Sequence, residues 1–427
     1  MHFRTRFPNP LTFILLASFS IWFAACVPAV QPVPEEVTPP KEMPRQVQSG
    51  LEVFLAEHPG FPGKRVALMT NQTAVNHQLV HAGQLLAGKV DLRLLLSPEH
   101  GLYGADYAGD LIQEEYDIIT GIRTASTFGV PNDRIADMLD SIDVALFDIQ
   151  DIGVRSYTYI YSMSYLMKAA AQRDIHVVIL DRPNPVTGRF VEGNILEPGY
   201  ESGVGRYPIP YRHGMTIGEL ALLFNEEFDI DCSLEIVKMK GWNRDLWYDE
   251  TDLPWVITSP HVPRSSTIMP MISTGVYGEL HVLSEGVGTT IPFEFVGGPW
   301  IENPFEFAAA LQERSPGGIL FRPTFVKPYY GRYRDQVCGG VQIHVTDREV
   351  YKPYLTSFII LSTHQELYPE IDLFGVEKRQ RTYEIVTGCS WIREGLIAGE
   401  DPLDLEQRWL PELDAFMKLR EQYLLYD

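Results

Sequence analysis

The chain has 427 residues and a formal net charge of −21, with 35 Lys and Arg against 56 Asp and Glu. Arg4 and Arg6 are the only charged residues among the first 25, so the rest of the chain carries −21 − 2 = −23. Such an acidic chain argues against nucleic acid as a partner, because binding phosphate requires a surplus of cations.

Residues 1–25 have the pattern of a signal peptide. Arg4 and Arg6 precede the apolar run LTFILLASFSIWF at 11–23, which is too short to span a bilayer comfortably. Small residues then lead to Cys26, as in a bacterial lipoprotein signal. We expect cleavage before Cys26 and lipidation of that residue. This predicts a lipoprotein anchored to a membrane of the bacterial cell envelope, on the periplasmic or extracytoplasmic face. An uncleaved anchor or a plain secretory signal is the alternative.

Residues 26–48 are rich in Pro and Glu and contain no aromatic residue, which is typical of an extended tether. The folded part is expected to start near Gly50 and is long enough for two domains. We predict a first domain at 49–270 and a second at 271–427. Three cysteines follow Cys26, so they cannot all pair within the chain.

Apolar runs alternate with amphipathic segments between 50 and about 255. Helices are predicted near 79–88, 132–140, 157–172 and 216–228, the last with a capping box formed by Thr216 and Glu219. This alternation predicts an α/β fold with a Rossmann-like, mostly parallel sheet and helices on both faces. The segment 255–300 reads as a long loop system, and a smaller α/β domain follows it.

Nucleotide cofactors are not expected, because the first predicted strand is followed by TNQTAVN rather than by a glycine-rich phosphate loop. His77 and His81 lie four residues apart, but no third metal ligand accompanies them. We therefore predict neither a cofactor nor a metal site.

The ends of four predicted strands carry polar side chains that a binding site would use. The carboxyl ends of parallel strands form the edge of a sheet at which ligands bind. Four successive strand ends with polar side chains favour a ligand-binding site over the alternative that these residues only form turns. The residues concerned are Asn71; Glu99 and His100; Asp148 and Asp151; and Asp181, Arg182 and Asn184.

Other candidates lie in loops rich in Gly and Pro. Arg155, Arg182 and Arg212 are each suited to binding a carboxylate, with ion pairing to Asp148, Asp151 or Asp181 as the structural alternative. Several further residues have a ligand-binding and a structural interpretation that the sequence leaves open. They are Tyr157 (sugar stacking or core packing), His213 (ligand contact or loop support) and Glu285 (a second carboxylate or a brace of its loop).

Long ordered motifs give the chain a close resemblance to a known family. The residues that carry it include TNQT (70–73), SPEHG (97–101), DRPNP (181–185), the PIP and RHGMTIGEL runs (208–220) and SEG with GTT (284–290). Together with DIQD, VEG, LPW and YLLY elsewhere, they span roughly residues 50–427. The chain resembles the exo-β-N-acetylmuramidase family of the NamZ type, glycoside hydrolase family 171, formerly a domain of unknown function.

The resemblance implies a Rossmann-like domain, a smaller C-terminal α/β domain and a cleft between them. It implies release of terminal N-acetylmuramic acid from peptidoglycan fragments, and Glu99 matches the family's leading candidate for acid/base catalysis. Val287 and Ile291 stand where the family usually has arginines, and SPHVP stands at 259–263 where it usually has an SPN sequence. Fewer cations imply weaker capture of the anionic lactyl group.

The leading functional hypothesis is hydrolysis of a glycan terminus in cell-wall turnover. Glycosidases usually combine an acid with a second carboxylate. We expect Glu99 to be the general acid and His100 to orient it, with Glu285, Asp151 or Asp148 as the second group. The remaining candidates would bind the sugar, or a muropeptide carrying it. A lipoprotein that binds muropeptide or glycan without catalysis is the alternative.

Overall fold

The computed structural model describes residues 47–105 and 115–427. The predicted signal peptide, the predicted lipidation site Cys26 and all but the end of the predicted tether lie outside these residues. Val47 and Gln48 lie at the end of the segment predicted as a tether; Val47 is fully buried, and Gln48 pairs with Lys240. Val47 packs in an apolar cluster with Met239 and Trp242, a long-range contact that the composition of the segment does not reveal.

Twelve strands and eleven helices make up the part of the chain that the structure describes. The strands are β1 Arg65–Thr70, β2 Asp91–Ser97, β3 Glu115–Tyr116, β4 Arg123–Ser126, β5 Val144–Asp148, β6 His176–Leu180, β7 Glu192–Ile195, β8 Pro210–Arg212, β9 Leu234–Val237, β10 Phe295–Gly298, β11 Ile319–Val326 and β12 Cys338–Val345. The helices are α1 Gly50–Glu57, α2 Ala82–Ala87, α3 Asn132–Met138, α4 Tyr159–Ala171, α5 Ile217–Glu227, α6 Ile268–Gly278, α7 Pro304–Arg314, α8 Pro353–Leu367, α9 Glu377–Thr387, α10 Trp391–Ala398 and α11 Pro402–Arg420.

The large sheet has the order β3-β4-β2-β1-β5-β6-β9, in which six strands are parallel and only β3 is antiparallel. The parallel strands follow the order of a Rossmann sheet, 3-2-1-4-5-6. The strand order therefore reverses between β1 and β5, where Thr70 lies opposite Asp148. The α/β prediction is confirmed.

Both faces of this sheet are covered by helices. Alternate residues of each strand point to opposite faces. Met69 and Phe147 pack with residues of α3, α4 and α5. Leu68 and Leu146 pack with residues of α1 and α2 on the other face. The helices hold the strands rigidly, so their carboxyl ends are fixed positions for side chains.

The C-terminal part is a smaller α/β unit with an antiparallel sheet of order β10-β12-β11. The segment 255–300, predicted as loop alone, contains α6 and β10. That prediction was wrong because Pro270, Thr274 and Gly275 interrupt the apolar pattern of α6, although its Ile272 and Val276 are buried. Cys232, Cys338 and Cys389 are buried free thiols. No helix in the described ranges is both long and apolar enough to cross a membrane.

Candidate functional site

The carboxyl ends of β2, β1 and β5 bring Glu99, Asn71 and Asp151 to one edge of the sheet, as predicted from the sequence. The turn after β2 has an unusual backbone: His100 and Gly101 both have positive φ, at 69° and 77°. A histidine in the left-handed region is uncommon and costs conformational energy. The turn thereby fixes the direction in which Glu99 leaves the strand.

Glu99 is half-buried and is held by the first turn of α4. Its Oε2 accepts a hydrogen bond of 2.9 Å from Oγ1 of Thr158, the residue that precedes the helix. The positive end of a helix dipole favours a carboxylate there. Thr158 was not among the predicted site residues, although it directly follows the predicted Tyr157.

Tyr157 lies near Asp151, and Tyr159 lies near Glu99. Their rings form an edge-to-face pair with centroids 4.9 Å apart. Burial raises the pKa of both phenols, and the charges of nearby Asp151 and Glu99 raise the pKa of Tyr157 and of Tyr159, respectively. Both phenols therefore remain protonated and serve as hydrogen-bond donors or acceptors, not as bases.

A loop near the end of the N-terminal part, before α6, forms one wall of the site. We call residues 257–261 the cleft loop. Gln72 Nε2 donates to the carbonyls of Ile257 and Thr258, at 2.9 and 3.2 Å, and the Tyr159 hydroxyl also donates to Thr258. These bonds join the cleft loop to the ends of β1 and α4. Gln72 directly follows the predicted Asn71, whereas nothing in the sequence signals its partner loop.

Several buried polar atoms at this edge lack a hydrogen-bond partner among the described residues. Natural proteins pair nearly all such atoms, so a group of them indicates positions at which a polar ligand binds. The atoms are Asn71 Nδ2, Gln150 Oε1, Asp151 Oδ1 and Tyr157 Oη. Together with Glu99 they define what we call the strand-end site.

Asp151 lies beside His213, another of the residues predicted from the sequence. Asp151 Oδ2 accepts from the Gly153 amide at 2.7 Å and lies 3.5 Å from His213 Nε2. His213 Nδ1 accepts from the Met215 amide at 3.2 Å, so the neutral ring carries its proton on Nε2, facing Asp151. The second oxygen of Asp151 remains available to a ligand.

The structure places most of the other sequence candidates in supporting contacts. Asp148 and Arg182 form a buried ion pair with each other. Asp181 accepts from Thr216, the Gly218 amide and Tyr426. Burial raises the pKa of its carboxyl to about 7, and these donors partly offset that effect.

Arg155, Asn184 and Arg212 are also engaged within the protein. Arg155 donates to backbone carbonyls of Asn194, Ile209 and Thr387. Asn184 bridges the backbone of Val186 and Met215. Arg212 donates to the Val186 carbonyl and lies over the rings of Phe190 and Trp247. Burial lowers its pKa to about 10.

Glu285 lies in the C-terminal part and pairs with Arg332 at 3.0 Å. Burial raises its pKa, and the charge of Arg332 opposes that shift. Its contacts match the structural alternative, that of a brace for its loop, and do not bring it to Glu99. Among the described residues no group of three or more His, Cys, Asp and Glu side chains is arranged to hold a metal ion.

Two cavities lie along the same edge of the sheet. One of about 430 Å³ is lined by Thr158, Phe128 and Tyr165, next to the hydrogen bond that holds Glu99. A larger one of about 540 Å³ lies toward β6 and is lined by Pro185, Trp247 and other residues. Of the residues that line these two cavities, Thr158 is the one that contacts Glu99. We therefore place the function by the polar groups of the strand-end site and not by cavity volume.

The chain is similar to proteins of one family along most of its length. The family model for the N-terminal part of the exo-β-N-acetylmuramidase NamZ matches residues 66–266, and the one for its C-terminal part matches residues 271–426. A peptidoglycan β-N-acetylmuramidase NamZ from Bacillus subtilis is 39% identical over 384 residues, which cover 89% of this chain and 92% of that protein.

Solved structures give the same result. The crystal structure of a DUF1343 family protein from Bacteroides fragilis is 36% identical, with a TM-score of 0.84, covering 90% of this chain and 100% of that one. A second DUF1343 family protein from Bacteroides fragilis is 28% identical, with a TM-score of 0.73, covering 89% and 99%. The chain belongs to the NamZ family of exo-β-N-acetylmuramidases.

Proposed function

We propose that this protein is an exo-acting glycoside hydrolase that releases terminal N-acetylmuramic acid from peptidoglycan fragments, with Glu99 as its general acid. Membership of the NamZ family supports the activity. The observation that carries the assignment of Glu99 is its position at the end of β2, held by Thr158 beside buried polar atoms that lack partners.

Asp151 is the best candidate for the second catalytic group. Of the three carboxylates considered, Asp148 is paired with Arg182 and Glu285 with Arg332. Asp151 alone keeps a buried oxygen without a hydrogen bond among the described residues. In the proposed reaction Glu99 gives its proton to the glycosidic oxygen as the bond breaks. Asp151 either activates the attacking water or attacks the sugar itself.

The experiment that tests Glu99 compares two substrates in Glu99→Gln. With the disaccharide of N-acetylmuramic acid and N-acetylglucosamine, kcat falls by about 10²- to 10⁴-fold, the usual contribution of acid catalysis. With β-N-acetylmuraminyl fluoride the loss is much smaller, because fluoride leaves with little need for a proton. Equal losses on both substrates, in a variant with wild-type melting behaviour, would show that Glu99 is not the acid.

We further propose that the mature protein is a lipoprotein of the cell envelope, which would place it where peptidoglycan turns over. The proposal rests on the basic start, the short apolar run and Cys26. Cells that express the protein and are fed an alkyne-labelled fatty acid are expected to label it, and Cys26→Ser is expected to lose the label. Labelling that persists in Cys26→Ser would contradict the proposal.

A further inference from the structure

The loop that joins β11 to β12 presents two tyrosine rings to solvent. We call residues 327–337 the rim loop. The exposed fractions of Tyr329 and Tyr330 are 74% and 49%. Single exposed rings are common on protein surfaces. Tyr329 and Tyr330 differ from such rings because the rim loop is held in place by hydrogen bonds. The rim loop also contacts the cleft loop, which forms one wall of the strand-end site.

Side chains of the rim loop tie it to the segment before β10. Arg332 donates to the carbonyls of Leu283 and Gly278 and to the Glu285 carboxylate at 3.0 Å. The Tyr333 hydroxyl donates to the Val282 carbonyl at 2.7 Å. Glu285, predicted as a catalytic candidate, thus anchors the loop that carries Tyr329 and Tyr330. A loop ordered in advance loses little entropy when a ligand binds.

The backbone of the rim loop also packs closely against the backbone at Gly288. The Tyr329 amide donates to the Gly288 carbonyl at 2.7 Å. Gly288 has a φ of 92°, and a Cβ there would lie 2.1 Å from the Tyr330 carbonyl oxygen. Only glycine permits this approach. The position of Tyr330 is therefore set by the backbone as well as by side chains.

Tyr330 reaches the wall of the strand-end site through His261. Its hydroxyl lies 2.9 Å from His261 Nε2, and the two rings are stacked at 27° with centroids 6.1 Å apart. His261 ends the cleft loop, which Gln72 and Tyr159 bind to the strand ends. Burial lowers the pKa of His261, and the charge of His100, the neighbour of Glu99, adds to this.

We infer that Tyr330, with Tyr329 beside it and His261 behind it, forms a subsite for the N-acetylhexosamine that follows the cleaved bond. The inference rests on the proposed function. A terminal sugar bound at Glu99 is enclosed by buried groups, so the rest of the glycan leaves past the exposed rim. Aromatic rings offer a flat apolar surface to the C–H face of a sugar, and the bond to His261 orients one of them.

The test uses two substrates that differ on the leaving side. The disaccharide of N-acetylmuramic acid and N-acetylglucosamine reaches the rim, whereas β-N-acetylmuraminyl fluoride has a leaving atom too small to do so. In Tyr330→Ala the KM for the disaccharide rises about tenfold, the effect of one lost stacking contact. The ratio of kcat/KM for the disaccharide to that for the fluoride falls by a similar factor. Tyr330→Phe keeps the ring and gives a smaller fall, about twofold.

Phe305→Ala is the matched control, because Phe305 on α7 is also a solvent-exposed aromatic ring, with 69% of its surface exposed. Its substrate ratio stays that of the wild type. An unchanged ratio in Tyr330→Ala, or equal losses on both substrates, overturns the subsite while leaving the proposed function intact. A wild-type protein that cleaves neither substrate overturns the proposed function and this inference with it.

Discussion

At the scale of single residues, hydrogen bonding separates the carboxylates that the sequence could not rank. Asp148 and Asp151 are three residues apart, and both are buried. Asp148 forms an ion pair with the buried Arg182. The negative charge of Asp148 therefore compensates the buried guanidinium. Asp151 has a backbone donor on one oxygen and none on the other. Hydrogen-bond partners therefore distinguish a structural carboxylate from a candidate catalytic one, which its position after a strand does not.

Asp151→Asn is therefore expected to reduce kcat by about 10²- to 10⁴-fold with a smaller effect on KM, because acid/base groups contribute that much to the reaction step. Asn keeps an acceptor for the Gly153 amide, so the melting temperature changes little. Added azide or formate, small anions that replace a lost carboxylate, is expected to restore part of the rate. A variant with nearly full activity would exclude Asp151 as the second group.

Only some residues of the site could be predicted from the sequence. Asn71, Glu99, Asp151 and His213 were predicted from strand ends and motifs, and the structure brings the first three to one edge, with His213 beside Asp151. The prediction did not include Thr158, His261 or Tyr330. Their roles depend on contacts across the fold, such as the bond between His261 and Tyr330, 69 residues apart in the chain. Contacts between residues so far apart in the chain cannot be predicted from short sequence motifs.

At the scale of elements, the starts of α3 and α5 were predicted to within one residue, whereas α2 begins three residues later than predicted. The capping box of α5 was expected from Thr216 and Glu219, and the structure shows both of its bonds. α4 and α5 were located to within two residues at each end. α6 was missed because its sequence resembles a loop, and only burial against the C-terminal core explains why it is helical.

Thr216→Ala is expected to lower the free energy of unfolding by about 1–2 kcal/mol, the usual cost of a lost N-cap. Thr216 accepts from the Glu219 amide and also donates to Asp181, so both bonds are lost together. Chemical denaturation measures the change. Thr216→Ser keeps the hydroxyl and is expected to recover most of the loss. A serine variant as unstable as the alanine variant would show that the methyl group, not the cap, matters.

At the scale of the whole molecule, a few buried polar groups join the two parts of the chain. Arg155 precedes α4 and donates to the carbonyl of Thr387, the last residue of α9. Glu192 in β7 accepts from the Leu355 amide in the first turn of α8, at 3.0 Å. Such contacts fix the relation between the parallel sheet, which bears Glu99, and the C-terminal unit, which bears the rim loop.

Glu192 gives this connection a pH dependence whose sign follows from its burial. Burial raises the pKa of its carboxyl to about 7, opposed by the Leu355 amide and the charge of Arg212. An unfolded glutamate has a pKa near ~4.3. Between these values the folded chain keeps a proton that the unfolded chain has released. The free energy of unfolding therefore falls as pH rises from about 4 through 7.

Glu192→Gln removes this titration while keeping an oxygen for the Leu355 amide. The variant is expected to gain stability relative to the wild type as pH rises from 5 to 8, by several degrees of melting temperature at most. Glu302→Gln, an exposed change on the C-terminal unit, provides the control and is expected to show no such trend. Parallel melting curves for Glu192→Gln and the wild type across this range would mean that Glu192 is ionised in the folded protein throughout. The junction would then be an ordinary charged contact between Glu192, Arg212 and the start of α8.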